Sequence, residues 1–480
     1  MTFRFSLTAS CSALLLAAAP VRAEPPGLQG RNCHLPGVEE ALRCVSVPVA
    51  LDYAAPNGAQ LALHVTVAPA FRESARPDPL FILAGGPGEA GTDVLPLLNN
   101  TLRRARATRD IVFIDQRGTG LSGKLDCDSK PPRETASEDE VDAEVRACIA
   151  RIRQPFAAYT TENAARDIEQ VRLALGYRKI NVWGGSYGTR LGQAYARAFP
   201  ANLRSMVLDG VAAPDQVIPA GGRDAQAALD ALFSQCAANP ACHQAFPALR
   251  AEFAGLADKL AAGAIQLDVA DPRTAQPVRL RMDSTRFLGT VHSILYSPAD
   301  SRRLPFLIHS AYQGRWQPFI ARRNVASDFS ADGATSLPLH LAVVCAEDFP
   351  RLTPQLLAED TRGSFLSAPL VQRLAGLCAA MHVPPAPYRE RPALIEAPVL
   401  MLSGALDPVT PPRRAEAAAK YMAHAQHLVV ANAGHGISPL GCAPRLLREF
   451  LDRPEQPLNA QCLKEIPAPT FQLGSAGPQP

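Results

Sequence analysis

The chain has 480 residues, of which 47% are hydrophobic and 19% charged, and its formal net charge is +3. This composition supplies enough apolar material for a large buried core together with an insertion. The sequence contains no internal repeat and no long block of like charge, so it predicts one large folded unit rather than a string of modules. The small net charge argues against a partner such as nucleic acid or an anionic membrane.

An export signal is predicted over residues 1–23. Arg4 gives the segment a positive start, residues 7–19 are apolar and small, and Ala23 ends it with the small residue that a signal peptidase prefers. The apolar run is shorter than the roughly 18 residues that a membrane anchor needs. A lipoprotein signal at Cys11 fits less well, because almost no apolar stretch precedes it. We therefore expect cleavage after Ala23, a periplasmic or extracellular protein, and no membrane insertion after cleavage.

Apolar runs predict the strands of a central sheet. Residues 61–67 alternate between apolar and other side chains, as an early antiparallel strand does. Continuous apolar runs of four to six residues are typical of strands buried on both faces. Such core strands are predicted over residues 80–84, 111–115, 180–183, 205–208, 398–403 and 427–431.

A glycine-rich turn, Gly85–Gly88, follows the first core strand. Glycines there allow backbone N–H groups to approach a developing negative charge, whereas Pro87 has no N–H to donate. We expect the Gly86 N–H to contribute to an oxyanion hole. A Gly-Pro turn that is needed only for chain reversal is the alternative.

The segment Gly118–Lys124 imitates a nucleotide-binding motif. A P-loop needs Ser or Thr after its lysine, and Leu125 stands there instead. A dinucleotide-binding fingerprint must open a helix, whereas the residues that follow are hostile to helix formation. We therefore expect no nucleotide cofactor, and we interpret the segment as a loop near the mouth of the site, in which Asp115 and Arg117 form a structural ion pair.

The most informative motif is Gly184–Gly188, with Ser186 at its centre. It follows the strand at 180–183 and passes at once into a helical pattern. A serine on such a strand-to-helix turn is exposed at the end of a sheet, and its neighbours are small because other backbone comes close. Gly-x-Ser-x-Gly also arises by chance, but this context is what the motif requires. Ser186 is the predicted nucleophile, and the Tyr187 N–H is the second predicted oxyanion donor.

A serine hydroxyl becomes a nucleophile only when a base takes its proton and an acid orients that base. His435, in the turn after the strand at 427–431, is the histidine best placed to act as the base. Asp407, on the loop after the strand at 398–403, is the predicted acid. Asp209, at the end of an earlier strand, is the alternative acid, although it can instead cap its strand or mark the exit to an insertion.

Together these motifs resemble the α/β-hydrolase superfamily and, within it, the group of proline iminopeptidases and tripeptidyl aminopeptidases. The resemblance covers about residues 80–440 in the family's order, and one departure is Ala84, where the group often has histidine. It implies a mostly parallel central sheet flanked by helices, with a largely helical cap inserted between core strands. The matching motifs are Gly85–Gly88, Asp115–Ser122, Gly184–Gly188, Leu208–Val211, Gly404–Pro411 and Gly434–Gly436.

The expected organisation is a core in two parts, residues 24–211 and 393–480. Between them, residues 212–392 turn largely helical, with proline-rich breaks, and form the cap. A cap in this position roofs the nucleophile and decides which molecules reach it. From Pro467 onward we expect a weakly structured tail.

One stretch of the cap ends in two adjacent carboxylates, Glu347 and Asp348, after an apolar run. The resemblance implies that such a cap acid pairs with the ammonium of a peptide's free amino end, and Glu347 is preferred over Asp348 for this role. The alternative is structural, with Asp348 capping the next helix and Glu347 solvated or ion-paired.

Ten of the eleven cysteines lie beyond the export signal, an even number that is high for a reduced cytosolic enzyme. They fall into five couples of sequence neighbours, and we expect each couple to be a disulfide. Counting does not fix connectivity, so free buried thiols in one or two couples are the alternative. No Cys-x-x-Cys pair or His-Glu-x-x-His helix occurs, so no metal site is expected. The couples are Cys33–Cys44, Cys127–Cys148, Cys236–Cys242, Cys345–Cys378 and Cys442–Cys462.

The leading functional interpretation is an exported serine aminopeptidase that needs no cofactor. It would release one or a few residues from peptides with a free amino terminus, through an acyl-enzyme on Ser186, with His435 as base and then acid and Asp407 orienting it. A carboxylesterase or lipase-like hydrolase on the same triad is the alternative. A non-catalytic binding protein on this fold is a remote one, because such proteins usually lose a triad member. The choice of substrate class rests on analogy with the caps of related aminopeptidases.

Overall fold

A computed structural model describes residues 30–127, 134–272, 274–323, 335–366, 368–388 and 392–478. The predicted export signal, residues 1–23, lies outside these ranges. Strands in the described ranges are β1 (Arg31–Cys33), β2 (Leu42–Ala50), β3 (Gln60–Ala68), β4 (Leu80–Leu83), β5 (Ile111–Ile114), β6 (Ile180–Gly185), β7 (Leu203–Asp209), β8 (Ile265–Ala270), β9 (Pro277–Met282), β10 (Val399–Gly404), β11 (Ala425–Val430), β12 (Gln472–Gly474) and β13 (Gly477–Pro478).

Nine of these strands form the central sheet, in the order β1-β2-β3-β5-β4-β6-β7-β10-β11. Strand β2 pairs antiparallel with both β1 and β3, and β3 pairs antiparallel with β5. From β5 to β11 in the sheet order, every neighbouring pair is parallel. The mostly parallel sheet of the α/β-hydrolase fold is therefore confirmed.

The helices flank this sheet or lie between β7 and β10. None of them, over the ranges given above, combines the length and apolarity needed to cross a lipid bilayer. Shorter 3₁₀ turns occupy Gly91–Leu98, Phe156–Ala158, Pro200–Asn202, Phe349–Arg351 and Gln461–Glu465, and one π turn occupies Val344–Asp348. The α-helices are α1 (Arg103–Arg106), α2 (Glu138–Arg151), α3 (Thr161–Ala174), α4 (Tyr187–Ala198), α5 (Gly222–Ala238), α6 (Pro240–Ala245), α7 (Leu249–Ala262), α8 (Ser284–Leu295), α9 (Pro298–Ser301), α10 (Leu304–Tyr312), α11 (Gln317–Arg323), α12 (Leu337–Val343), α13 (Pro354–Thr361), α14 (Ala368–Met381), α15 (Pro412–Ala419) and α16 (Ala443–Asp452).

The central strands are buried on both faces, which is why they occur in the sequence as continuous apolar runs. Every residue of β4 and of β5 is buried. Because successive side chains of a strand point to opposite faces, Phe81 and Leu83 join the core cluster that includes α3 and α4. Leu80 and Ile82 join the cluster on the other face, which includes α16. The sheet edge that carries the functional loops is thus held between two packed layers.

The chain between β7 and β10 contains the predicted cap and has an apolar core of its own. Helices α5, α7, α8 and α10 contribute to that core. The rings of Phe253 on α7 and Phe287 on α8, for example, lie 5.8 Å apart. The cap also contains an antiparallel hairpin of β8 and β9, which the largely helical pattern did not predict. The helices α5, α7, α8 and α10 therefore fold around side chains separate from those of the sheet, whereas Leu339 and Leu341 of α12 belong to the same cluster as the sheet.

The carboxyl-terminal segment is ordered up to residue 478, so the expectation of a weakly structured tail is wrong there. Phe471 is buried, and the Arg302 guanidinium lies 4.3 Å from the centre of its ring. The backbone N–H of Gln472 donates to the Arg302 carbonyl at 3.1 Å, and β12 pairs with β13. Residues after the last core helix thereby anchor the chain end to the cap.

The expected ion pair between Asp115 and Arg117 is also wrong. Arg117 donates from Nε and Nη2 to the two carboxylate oxygens of Asp167, at 2.7 and 2.6 Å. Asp115 accepts from the backbone N–H groups of Thr92 and Leu121, each at 2.8 Å. Both groups are buried, and both have a structural role in holding the loop after β5.

Each of the five predicted cysteine couples is bonded in the structure, with Cα–Cα separations from 5.1 to 6.3 Å. Those separations lie in the usual range for disulfides. The Cys345–Cys378 bond joins the π turn that carries Glu347 to helix α14. The bonds therefore brace both the sheet and the cap.

Candidate active site

Ser186 stands at the junction of β6 and α4 with φ 52° and ψ −122°. A non-glycine residue at positive φ is strained, and such strain concentrates at functional sites. The flanking glycines are required sterically, because a β-carbon on Gly184 would overlap the Gly188 carbonyl oxygen, and one on Gly188 would overlap that of Leu83. The structure therefore gives Ser186 the geometry that the motif predicted for a nucleophile.

The structure brings His435 and Asp407 together. His435 Nδ1 lies 2.8 Å from Asp407 Oδ2, and the Asp407 side chain is 0% exposed. Oδ1 of Asp407 accepts from the backbone N–H groups of Val409 and Thr410, both at 2.9 Å. The Thr410 hydroxyl donates to Oδ2 at 2.6 Å. The carboxylate is thus held rigidly, and it orients the imidazole with Nε2 directed away from it.

Burial and charge act in opposite directions on this pair. Burial lowers the pKa of His435, but the charge and hydrogen bond of Asp407, together with the smaller effects of the Asp209 and Glu89 charges, outweigh it, so the pKa is raised above its usual value. Burial raises the pKa of Asp407, but His435 and Thr410 outweigh that effect, so its pKa is lowered. The aspartate therefore stays ionised and stabilises an imidazolium when one forms.

Asp209, the alternative acid, has a different environment. Its carbonyl accepts from the Ser186 N–H at 2.9 Å, and its carboxylate accepts from the N–H groups of Ile437 and Ser438, each at 2.7 Å. The residue after it, Gly210, lies so close to the His435 ring that an added β-carbon would be 3.0 Å from Cε1. Asp209 thus ties the serine turn to the histidine loop, which fixes the two loops relative to each other.

The loop after β4 lies directly against the serine turn. A β-carbon on Gly85 would lie 3.1 Å from Ser186 Cβ, and Gln116 Nε2 fixes the loop by donating to the Ala84 carbonyl at 3.0 Å. Gly86 is exposed, has φ +99° and precedes a cis peptide bond to Pro87. The Tyr187 N–H is the first of α4, where the helix dipole favours a negative charge. The loop that carries Gly86 and the first N–H of α4 therefore both adjoin Ser186.

Asp348 does not present its carboxylate to a cleft, which corrects the expectation that it binds a substrate ammonium. Its side chain is 0% exposed and pairs with Arg190 Nη1 at 2.9 Å and with Arg351 Nη2 at 2.8 Å. It also accepts from the Ile218 N–H at 3.2 Å. Two guanidinium groups already balance this charge, so Asp348 joins the cap to helix α4.

Glu347 is held in the same network but is slightly exposed, at 11%. Its carboxylate accepts from the Thr161 N–H at 2.6 Å and from the Thr161 hydroxyl at 2.7 Å, and Arg190 Nη2 lies 3.6 Å away. The Thr161 hydroxyl also bonds to the Tyr187 phenol at 2.7 Å. The Glu347 carboxylate thus lies at the start of α3, near the phenol end of the Tyr187 side chain.

Three neighbours of the site had no assigned role from sequence reasoning. Tyr296 of the cap accepts the His435 N–H on its carbonyl at 2.8 Å, and its ring centre lies 5.2 Å from that of His435. Thr410 lies in a motif that carried the resemblance, but only the fold shows its hydroxyl 3.1 Å from His435 Nδ1. Glu89 directly follows the glycine-rich loop, and its Oε2 accepts the Gly85 N–H at 2.8 Å.

Across the described ranges, no group of three or more His, Cys, Asp or Glu side chains is arranged to hold a metal ion.

Comparisons with known proteins find similarity to α/β hydrolases and to serine peptidases. A family described as the alpha/beta hydrolase fold matches residues 78–260, and a family of TAP-like proteins matches residues 364–462. The chain is 28% identical over 433 residues to the serine protease Hip1 of Mycobacterium tuberculosis, which covers 82% of this chain and 81% of that protein. It is 32% identical over 222 residues to a tripeptidyl aminopeptidase of Streptomyces lividans, covering 42% and 41% of the two chains. Similarity to a proline iminopeptidase of Neisseria gonorrhoeae is 33% over 144 residues, covering 29% and 36%.

Proposed function

We propose that this chain, which is similar to serine peptidases and to the α/β-hydrolase superfamily, is an exported aminopeptidase that cleaves peptides near a free amino terminus. The observation that carries the proposal is Ser186 on its strained turn, tied through Asp209 to the loop of His435, which is hydrogen-bonded to Asp407. The similarity to two kinds of aminopeptidase supports the substrate class. The five disulfides, together with the sequence of residues 1–23, support export.

The proposed reaction proceeds through an acyl-enzyme. His435 Nε2 takes the proton of Ser186 Oγ as the oxygen attacks the scissile carbonyl, and Asp407 stabilises the imidazolium that forms. The Gly86 and Tyr187 N–H groups bind the oxyanion. His435 then gives its proton to the leaving amine, a water molecule enters, and the same base activates that water to release the acyl group from Ser186.

A free amino terminus carries a positive charge, so its recognition calls for a carboxylate that reaches the substrate. Of the two cap acids expected in this role, Asp348 is balanced by two arginines, whereas Glu347 retains a small exposed area. Blocking the amine would leave such a carboxylate desolvated and unpaired in the complex, which costs roughly 2–4 kcal/mol, or about thirty-fold to nearly a thousand-fold in specificity. Preference for a free amine is therefore the property that separates an aminopeptidase from an esterase.

The decisive experiment compares three substrates on the purified mature protein. These are an aminoacyl arylamide, its acetylated twin and a simple aryl ester, each measured as kcat/KM, with Ser186→Ala as the control for contaminating activity. We expect the free amine to be cleaved at least about thirty-fold faster than the acetylated form. Equal rates on the two amides, with the ester cleaved far faster than both, would instead favour a carboxylesterase on the same triad.

A further inference from the structure

A carboxylate that sequence reasoning did not consider lies beside the nucleophile. Glu89 directly follows the glycine-rich loop, and its side chain turns back so that Oε2 accepts the Gly85 N–H at 2.8 Å. A β-carbon on Gly85 would lie 3.2 Å from that oxygen and 3.1 Å from Ser186 Cβ. The Glu89 carboxylate and the Ser186 side chain therefore flank the same point of the loop.

The charge of Glu89 also reaches the base. Glu89 is only partly buried. The pKa of His435 is lowered most by burial and raised most by Asp407, and the charge of Glu89 also raises it. Ser186 and His435 are tied together through Asp209. Glu89 is thus a negative charge in the immediate surroundings of both reacting groups.

The position of an ammonium-binding carboxylate determines how many residues lie between the amino terminus of the substrate and the bond that is cleaved. If one residue is released, the substrate nitrogen lies only two covalent bonds from the carbonyl carbon that Ser186 attacks. If three residues are released, the ammonium lies about 7 Å further along an extended chain. A carboxylate beside Ser186 suits the first case. Glu347 is instead bonded to Thr161, whose hydroxyl also contacts the Tyr187 phenol.

We propose that Glu89 binds the α-ammonium of the first residue of the substrate and so makes this enzyme an aminopeptidase that releases single residues. The assignment rests on the proposed function and deepens it. A carboxylate has about four acceptor positions, so it can hold an ammonium while it accepts the Gly85 N–H. In this arrangement the Glu89 carboxylate holds the loop that supplies the Gly86 N–H and also binds the ammonium of the substrate. Glu347 and Asp348 then act as the structural anchor between α3, α4 and the cap.

The test uses Glu89→Gln, because glutamine keeps an oxygen for the Gly85 N–H and loses only the charge. The substrates are alanyl arylamide and lactyl arylamide, which share a carbon skeleton but carry an ammonium and a hydroxyl, respectively. We expect the alanyl-over-lactyl ratio of kcat/KM to fall by about thirty-fold or more. The ratio is the readout because any effect of the substitution on the loop or on His435 is common to both substrates and cancels. Asp93→Asn is the matched control, since Asp93 is a carboxylate in the 3₁₀ turn that follows this loop, and its Oδ2 accepts the Ala90 N–H at 2.8 Å.

The outcomes separate this assignment from the proposed function. An unchanged ratio in folded Glu89→Gln would overturn the assignment, as would loss of the ratio in Glu347→Gln instead. If the unaltered enzyme cleaves lactyl and alanyl arylamides equally, the aminopeptidase function itself fails.

A second measurement needs no variant and covers the case in which Glu89→Gln does not fold. The unaltered enzyme is given trialanyl arylamide, and the products are identified by mass spectrometry. We expect free alanine first. Trialanine as the first product would contradict release of single residues, and it would move the ammonium site to the cap.

Discussion

Replacing Asp407 by asparagine tests the acid beside His435 with almost no change of shape. Oδ1 of Asp407 accepts two backbone N–H groups, from Val409 and Thr410, so that position requires an oxygen. The amide NH₂ of asparagine therefore falls on the side of His435 Nδ1, which lies 2.8 Å from Oδ2. There it donates to Nδ1, and the ring proton moves to Nε2.

A protonated Nε2 cannot accept the proton of Ser186 Oγ, so the base is lost rather than weakened. The same substitution in a serine protease with this triad lowers kcat about 10⁴-fold. We expect a loss of roughly 10³- to 10⁴-fold here, which corresponds to about 4–5.5 kcal/mol at about 1.36 kcal/mol for each factor of ten. The fold should survive, because the volume and most of the hydrogen bonds are retained.

The assay is kcat/KM on a neutral aryl ester, which does not depend on recognition of an amine. Asp209→Asn is the matched control, because its carboxylate accepts from the main chain of Ile437 and Ser438. That variant should lose about 1–3 kcal/mol of stability and keep the tautomer of His435. A folded Asp407→Asn enzyme with more than about a tenth of the original activity would refute the reasoning. A larger loss in Asp209→Asn would refute it too.

Three further outcomes are expected. Because nearby carboxylates, Asp407 above all, outweigh burial, the pKa of His435 lies above its usual 6.5. The imidazolium is inactive as a base, so kcat/KM should decline as pH falls through a midpoint above 6.5, and a midpoint below 6.5 would contradict that charge balance. Asp348→Asn should lower the free energy of unfolding by about 3 kcal/mol in a denaturant titration, since Arg190 loses a fully buried partner, and an unchanged midpoint would contradict this. The intact mass of the exported protein should begin at Glu24, with ten cysteines that alkylate only after reduction, and peptide mapping that links other couples would overturn the local pairing.

The sequence predicted those parts of the molecule whose physics is local. Core strands were placed to within one or two residues, because strands covered on both faces must be continuously apolar. Ser186 could be predicted because its strained turn requires glycine at Gly184 and Gly188, where a β-carbon would overlap neighbouring backbone, and those glycines are visible in the sequence. In contrast, the alternating strand β2 was missed, and it contains Pro48, a residue that argues against a central strand.

Pairings between distant residues could not be predicted in this way. Arg117 bonds to Asp167, fifty residues away, rather than to its near neighbour Asp115. The role of Asp348 depends on Arg190, which a different element presents. A sequence shows that a carboxylate is present, but only the fold shows which cation reaches it. The same limit applies to Glu89, because only the fold shows that its carboxylate and Ser186 lie against the same glycine, Gly85.

The contact of Tyr296 with His435 has a consequence for how such enzymes can be altered. The backbone of the cap holds the main chain of the base, and a β-carbon on Gly434 would overlap the Tyr296 carbonyl oxygen. The position of the His435 main chain therefore depends on the position of the cap backbone at Tyr296. Grafting a cap from a relative to change substrate choice would shift the imidazole unless the donor cap offers a carbonyl at the same place. Deleting the cap to widen access would remove the carbonyl that holds the main chain of the base.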